Sequence, residues 1–290
     1  MVKQKISRRF KAIVGIESAI VLIAFVVVAA ALAFVVLNMG FFTTQKSKET
    51  IGSGLGEASS ALEIDGTVVA GVDTTTSTIT YFYIPLKLSA GKASIDVTPG
   101  KSVVSLWSPT RGYTYADIYV ATLTSKLKDI GLGCSGTPPS SSGIVNISVG
   151  SKTILGLALG NSTSQYCLLI VYYDQTGSIT GVENIGISYN DYLAAMNGAY
   201  PNPAIVDIVA SRISGNISST VAVVAWVSNR NNDNVLDPGE KVILLIHLRD
   251  QDQFQAYDQF KVEFKIPVGA PLTVERSVPA SLNQQVIDLG

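Results

Sequence analysis

Residues 229–240, NRNNDNVLDPGE, place hard oxygen donors at alternate positions. Read as a twelve-residue Ca2+ loop, Asn229, Asn231 and Asp233 take the first three ligand positions, the Val235 carbonyl the fourth, Asp237 the fifth and Glu240 the last. Asn234 holds the place normally taken by glycine, and Asn tolerates the left-handed conformation better than most residues. Against this, the first ligand is neutral and the flanks read as strands. The alternative is an Asn/Asp-rich β turn, and the sequence alone leaves both open. No motif requires a cofactor; Ca2+ at this loop is the one candidate. Asn146-Ile147-Ser148, Asn161-Ser162-Thr163 and Asn216-Ile217-Ser218 are N-glycosylation sequons, meaningful only if the domain is exported. Cys134 and Cys167, the two cysteines, form one disulfide in an exported domain or stay as two buried thiols; spacing does not decide between them.

Catalytic chemistry finds little support. His247, the single histidine, lies in LLIHL and reads as a packed strand residue rather than a base. There is no nucleophile motif and no Cys-x-x-Cys, and Gly91-Lys92 lacks the context of a phosphate-binding loop. An enzyme is not expected. Charged residues make up only 15% of the chain, well below the usual quarter, while hydrophobic residues reach 47% and mean hydropathy is +0.34. Lys3, Lys5, Arg8, Arg9 and Lys11 all precede Gly15 with no acid among them; without these five of the 21 basic residues, 16 remain against 22 acidic ones. The rest of the chain carries no basic patch, so nucleic acid is not an expected partner.

The basic cluster leads into an apolar run. No charge occurs from Ser18 to Gln45, and Ala19–Leu37 is unbroken by any polar residue. Nineteen helical residues span about 28 Å, close to the hydrocarbon thickness of a bilayer. An ordinary secretory signal has a shorter apolar core followed by a small-residue cleavage site, and neither is present. The run is apolar on every side, so as a helix it must be surrounded by lipid or by protein. Helical texture continues through Ile51, Leu55, Ala58 and Leu62, weakened by Gly52, Gly54 and Gly56, until Asp65-Gly66 marks a turn.

From Thr67 onward the pattern changes to strands and turns. TITYFYIPLKL (78–88), QYCLLIVYYD (165–174), TVAVVAWV (220–227) and KVILLIHL (241–248) are rich in β-branched and aromatic residues. FKVEFKI (260–266) alternates strictly, with Phe260, Val262, Phe264 and Ile266 on one face, as a half-buried antiparallel strand requires. Pro99-Gly100, Asp237-Pro238-Gly239 and the Ser/Pro run at 137–143 mark loops, and 129–143 reads as an inserted surface loop. The expected fold is α+β: a long N-terminal hydrophobic helix followed by one antiparallel, Ig-like β-sandwich.

The segment KAIVG-IESAIVLIAF (11–25) resembles the class III signal peptide and first helix of archaeal flagellins, or archaellins, within the type IV pilin-like superfamily. NMGFFTTQKSKETI, GLGEASSALEIDGTV, DPGEKVILLIHL and PVGAPLTVERSVP resemble the same family at both ends of the chain, while the middle is only compatible with it. The resemblance implies that a prepilin-type signal peptidase cuts between Gly15 and Ile16, removing residues 1–15. Residues 16–62 would then form a filament-core helix, through Ile16, Ile20, Ile23, Val27, Leu32 and Val36, and 63–290 the outer domain. It implies a membrane-inserted precursor, an assembly and motor platform, and a cell-surface homopolymer for swimming. One departure stands out: bacterial pilins carry glutamate at the fifth mature position, where this chain has Ile20, the nearest acid being Glu17. The competing expectations are an adhesive pilus subunit and a membrane-anchored surface binding protein whose apolar run stays uncleaved. Loss of swimming without loss of attachment would separate the first, and a monomeric, ligand-protected β domain would favour the second.

Overall fold

The computed structural model describes residues 10–59, 62–89, 94–130, 134, 143–149, 152–163 and 165–290. Lys3, Lys5, Arg8 and Arg9, and most of the expected 129–143 loop, lie outside them. The chain divides into two compact units, Met1–Leu55 and Gly56–Gly290.

The first unit is carried by α1 (Phe10–Ser59), a 50-residue helix about 75 Å long. Its most apolar stretch has a mean hydropathy of 3.3 within Gly15–Gly52 and is long enough to cross a membrane. Four of its hydroxyls turn back into the helix: Ser18 Oγ donates to Gly15 O, Thr43 Oγ1 to Met39 O, Thr44 Oγ1 to Gly40 O and Thr50 Oγ1 to Lys46 O. Each is thereby satisfied without water, which a dry environment demands. The helix ends at Ser59, and Leu62, expected as its last apolar position, instead opens the first strand and is buried.

The second unit follows in chain order as β1 (Leu62–Ile64), β2 (Val69–Asp73), β3 (Thr78–Leu88), β4 (Ile95–Asp96), β5 (Val103–Ser108), β6 (Tyr113–Tyr115), β7 (Tyr119–Leu123), β8 (Val145–Val149), β9 (Lys152–Ser162), β10 (Gln165–Tyr173) and β11 (Ile179–Ile187). Then come α2 (Tyr189–Met196), α3 (Pro203–Ile217), β12 (Val221–Ser228), β13 (Val235–Leu236), β14 (Lys241–His247), β15 (Gln259–Lys265), β16 (Leu272–Ser277) and β17 (Val286–Asp288). A central sheet runs β17-β2-β3-β14-β12-β7, with β1 also paired to β3. Its pairings are antiparallel except β12 with β7.

Both faces of this sheet are covered, which is why its middle strands read as unbroken apolar runs. On one face Phe82, Ile84, Val224, Trp226, Leu244 and Ile246 meet Val104, Leu106, Phe260, Val262 and Phe264 of the outer sheet β16-β15-β5-β6. Phe260 lies 4.6 Å from Phe82 and 4.9 Å from Phe254, ring centre to ring centre. On the other face Val221, Val223, Ala225, Ile243 and Leu245 meet α3 and the sheet β11-β10-β9-β8. The antiparallel sandwich thus carries a third sheet and two helices. Both helices have readable start signals: Ser188 caps α2, and Asn202 caps α3 with Pro203 in the first turn.

Two polar clusters tie the layers. Asp252, 3% exposed, accepts from Tyr115 Oη at 2.8 Å, Thr220 Oγ1 at 2.7 Å and Arg249 Nε at 2.7 Å, joining the outer sheet to the central one. Glu183 of β11 receives Arg212 of α3 at both oxygens (2.5 and 2.7 Å) and Tyr172 Oη at 2.5 Å. The Arg212 guanidinium, outweighing burial, holds the Glu183 carboxyl below its ordinary range.

Candidate functional site: the exposed helix and the surface loops

Ile16, Ile20, Ile23, Val27, Leu32 and Val36 lie on α1, each 61–68% exposed. At 100° per residue the first four fall on one stripe, while Leu32 and Val36 fall on the opposite side. Between and around them Val21, Leu22, Phe25, Val26, Phe34 and Phe41 are also exposed. Over Ala19–Leu37 no seam is polar, so that part of α1 has no side fit for water. Covering one such side chain contributes about 1.5–3 kcal/mol, and the helix offers more than a dozen. The arrangement does no bond-making chemistry; it can only be embedded. Among the charged residues of α1 after Gly15, Glu17 stands ahead of the apolar run, and Lys46 and Glu49 pair at 2.7 Å beyond it.

Gly15 and Ile16 are consecutive helical residues, and a Cβ at Gly15 would meet nothing within 4 Å. Glycine, about 1 kcal/mol poorer than alanine in a helix, makes Gly15 a point where opening the helix costs less.

The 229–240 loop closes on itself, with its oxygens engaged by its own donors. Glu240, 1% exposed, accepts Arg230 N at 2.7 Å on one oxygen and Asp237 N at 3.0 Å on the other. Asn229 Oδ1 accepts Asn232 N, Asp233 Oδ1 accepts Val235 N, and Asp237 Oδ2 accepts Asn231 Nδ2. Asn232, not Asn234, takes the positive φ of 58°. Asn234 instead accepts Thr124 Oγ1 on its side chain and Val97 N on its carbonyl. As described, the loop is a hydrogen-bonded Asn/Asp-rich turn leading into β13, which pairs with β4. Among the described residues no group of three or more His, Cys, Asp or Glu side chains is placed to hold a metal ion.

The three sequon asparagines are exposed, at different kinds of site. Asn146 lies on β8 and accepts Tyr173 Oη at 3.0 Å, Asn161 on β9, and Asn216 in the last turn of α3. Cys134 and Cys167 are joined by a disulfide, their Cα atoms 5.8 Å apart, with Cys167 fully buried on β10. His247 pairs through Nδ1 with Asp207 Oδ1 at 2.7 Å, fastening β14 to α3. The sequence reading missed α2 and α3 altogether. Their signals were Ser188 and Asn202 as caps, Pro203 after the second, and the spacing of Val206, Val209, Ala210 and Ile213 on one helix face.

Comparison with known proteins places this geometry in context. A family model for archaeal-type flagellin matches residues 12–276. "Probable flagellin 1" of Aeropyrum pernix is 34% identical over 279 residues, covering 95% of each chain. "Flagellin FlaB2" of Saccharolobus shibatae is 38% identical over 127 residues, covering 41% of this chain and 42% of its own. Among solved structures, the archaeal flagellin FlaB1 of Methanocaldococcus jannaschii aligns with a TM-score of 0.44 at 16% identity, covering 79% of this chain and 96% of that one.

Proposed function

The chain belongs to the archaeal-type flagellin family and is a structural subunit of an extracellular motility filament, not an enzyme; from that premise we propose how it matures and assembles. Residues 1–15 act as a class III signal peptide, and a prepilin-type signal peptidase cuts between Gly15 and Ile16. Before the cut, the five basic residues hold the N-terminus at the cytoplasmic face while α1 spans the membrane. After it, that anchor is gone, and α1 passes from lipid into a bundle of identical helices at the filament centre. An assembly and motor platform in the membrane drives that transfer, and the filament transmits torque as a screw.

The observation that supports this reading is the absence of a polar seam over Ala19–Leu37 of α1, together with the hydroxyls of Thr43, Thr44 and Thr50 satisfied within the helix. Such a helix is equally at ease in lipid and in a dry bundle. The second unit forms the outer sheath, with glycans at Asn146, Asn161 or Asn216, and needs no cofactor. The test is the N-terminus of native protein, read by mass spectrometry of fibres sheared from cells. A start at Ile16 in high-mass fibres supports the proposal. A start at Met1 confined to the membrane fraction means that the helix is a permanent anchor and overturns it.

A further inference from the structure

The outer unit exposes seven large hydrophobic side chains among the described residues: Trp107, Tyr189, Leu193, Met196, Tyr257, Val268 and Val286. Three of them lie on a single eight-residue helix. Tyr189, Leu193 and Met196 of α2 follow the i, i+4, i+7 spacing of one stripe, while Tyr192 and Ala195 face the core. The α2 helix is thus apolar both inward and outward, a pattern that burial within its own domain leaves unexplained. Tyr189 is held in place by Tyr166, 5.0 Å away between ring centres, so the stripe is a preformed ridge.

A second feature lies on the other side of the central sheet. Along β5 the side chains alternate, so Leu106 enters the core and Trp107 stands out on the solvent face of the outer sheet, 46% exposed. Trp107 borders a groove of about 420 Å3 with Pro109, Lys261, Glu275, Arg276 and Ser277. Lys261 and Glu275 pair across the strands at 2.8 Å, and Arg276 is turned to the carbonyls of Glu275 and Gly290. The result is one exposed indole, with Pro109 beside it, among the polar side chains Gln259, Lys261, Glu275, Arg276 and Ser277; a large aromatic ringed by polar groups is a usual anchor at interfaces.

We propose that the α2 ridge of one subunit seats in the Trp107 groove of a neighbouring copy of the same chain. The inference rests on the filament reading above, which surrounds every outer unit with copies of itself. Ridge and groove lie on opposite sides of the central sheet, so contact between them is head-to-tail and leaves a free ridge and a free groove for the next subunit. Such a contact propagates, as a filament requires; either patch meeting its own copy would close a pair and stop. Trp107 and Pro109 are the apolar part of the groove that a stripe of Tyr, Leu and Met would cover, with the polar side chains left at the rim.

Methionine oxidation in wild-type filaments tests this directly. Apart from Met1, the chain has only Met39 on α1 and Met196 on the ridge. Intact filaments are treated with dilute hydrogen peroxide, and sulfoxide formation at each site is compared with filaments dissolved in denaturant. Met196 is 39% exposed in its own fold, which alone slows oxidation roughly twofold to threefold; coverage by a neighbour slows it at least about tenfold. Trp107→Ala filaments, with Trp226 fluorescence confirming the fold, should return Met196 to the faster rate while Met39 stays protected. Ser277→Arg, which fills the groove, serves as the second variant and should do the same. Fast oxidation of Met196 in wild-type filaments, or full protection surviving both variants, overturns the pairing and leaves the filament core intact. Fast oxidation of Met39 as well would remove the core-helix premise itself.

Discussion

Replacing Asp252 should destabilise the outer unit more than any other single polar change. Its carboxylate is almost fully buried and accepts three side-chain donors at 2.7–2.8 Å from Tyr115, Thr220 and Arg249. In Asp252→Ala the Thr220 hydroxyl, only 1% exposed, loses its acceptor inside the protein, and Tyr115 loses one beside it. Each stranded hydroxyl costs about 1–3 kcal/mol. Arg249 has a side chain 38% exposed and can turn to water, so its share is small. The total is about 3–5 kcal/mol for alanine, and about 1–3 kcal/mol for Asp252→Asn, which keeps one acceptor but turns an amide toward Arg249. Urea unfolding of detergent-dispersed full-length chain, followed by the fluorescence of fully buried Trp226, measures the change. A shift below about 1 kcal/mol for Asp252→Ala, at unchanged slope, would mean that the sheets are held by apolar packing alone and would refute the argument.

Reducing the Cys134–Cys167 disulfide, which spans 33 residues of sequence, should cost about 3–4 kcal/mol by loop-closure entropy and lower the urea midpoint accordingly. Asp96 is held down to about 2 by the Lys101 ammonium at 2.5 Å, with Thr98 assisting, against an ordinary 3.8. Because the folded value is the depressed one, its stabilisation is complete above about pH 5 and is lost as pH falls through about 2. Lys101 is largely exposed, so the effect is on the order of 1 kcal/mol, and Asp96→Asn should flatten the acid limb of the stability curve. At Gly71 a Cβ would overlap the Tyr81 ring across the β2–β3 pair, so Gly71→Ala should lower the melting temperature, and Gly71→Ala with Tyr81→Ala should lower it less than the sum of the two. Chelator or added Ca2+ should shift the melting temperature by less than about 1 °C, since mass action stabilises only through a site that binds; a larger shift would reinstate the 229–240 loop as a cation site.

The strands were legible where periodicity was strong. TITYFYIPLKL became β3 over the same eleven residues, and FKVEFKI falls on β15 with Phe260, Val262 and Phe264 inward. Strands buried on both faces, β12 and β14, announced themselves as unbroken apolar runs. The two helices carried local signals, caps at Ser188 and Asn202 and one apolar face on α3, but the third sheet that covers their inward faces is not written in any one segment. The 229–240 loop stayed undecided for a related reason. Oxygens at alternate positions suit a cation, but they suit backbone N–H groups at a tight turn equally well, and only coordinates show that Glu240 is already doubly occupied. The N-terminal helix was the most legible element, since nothing but a dry surrounding accommodates an apolar surface on every side.

That same uniformity has a mechanical consequence. Over Ala19–Leu37 a helix apolar all round meets no polar penalty on rotating about its own axis or sliding past identical neighbours; only the fit of side chains ranging from Ala30 to Phe34 resists. A bundle of such helices behaves as a cohesive but angularly undecided cable. In the proposed filament, twist, handedness and pitch would then be set largely from the outer unit, where polar and apolar side chains differ from one bearing to the next. If so, small changes on the outer unit should convert one helical waveform into another while leaving tensile strength untouched.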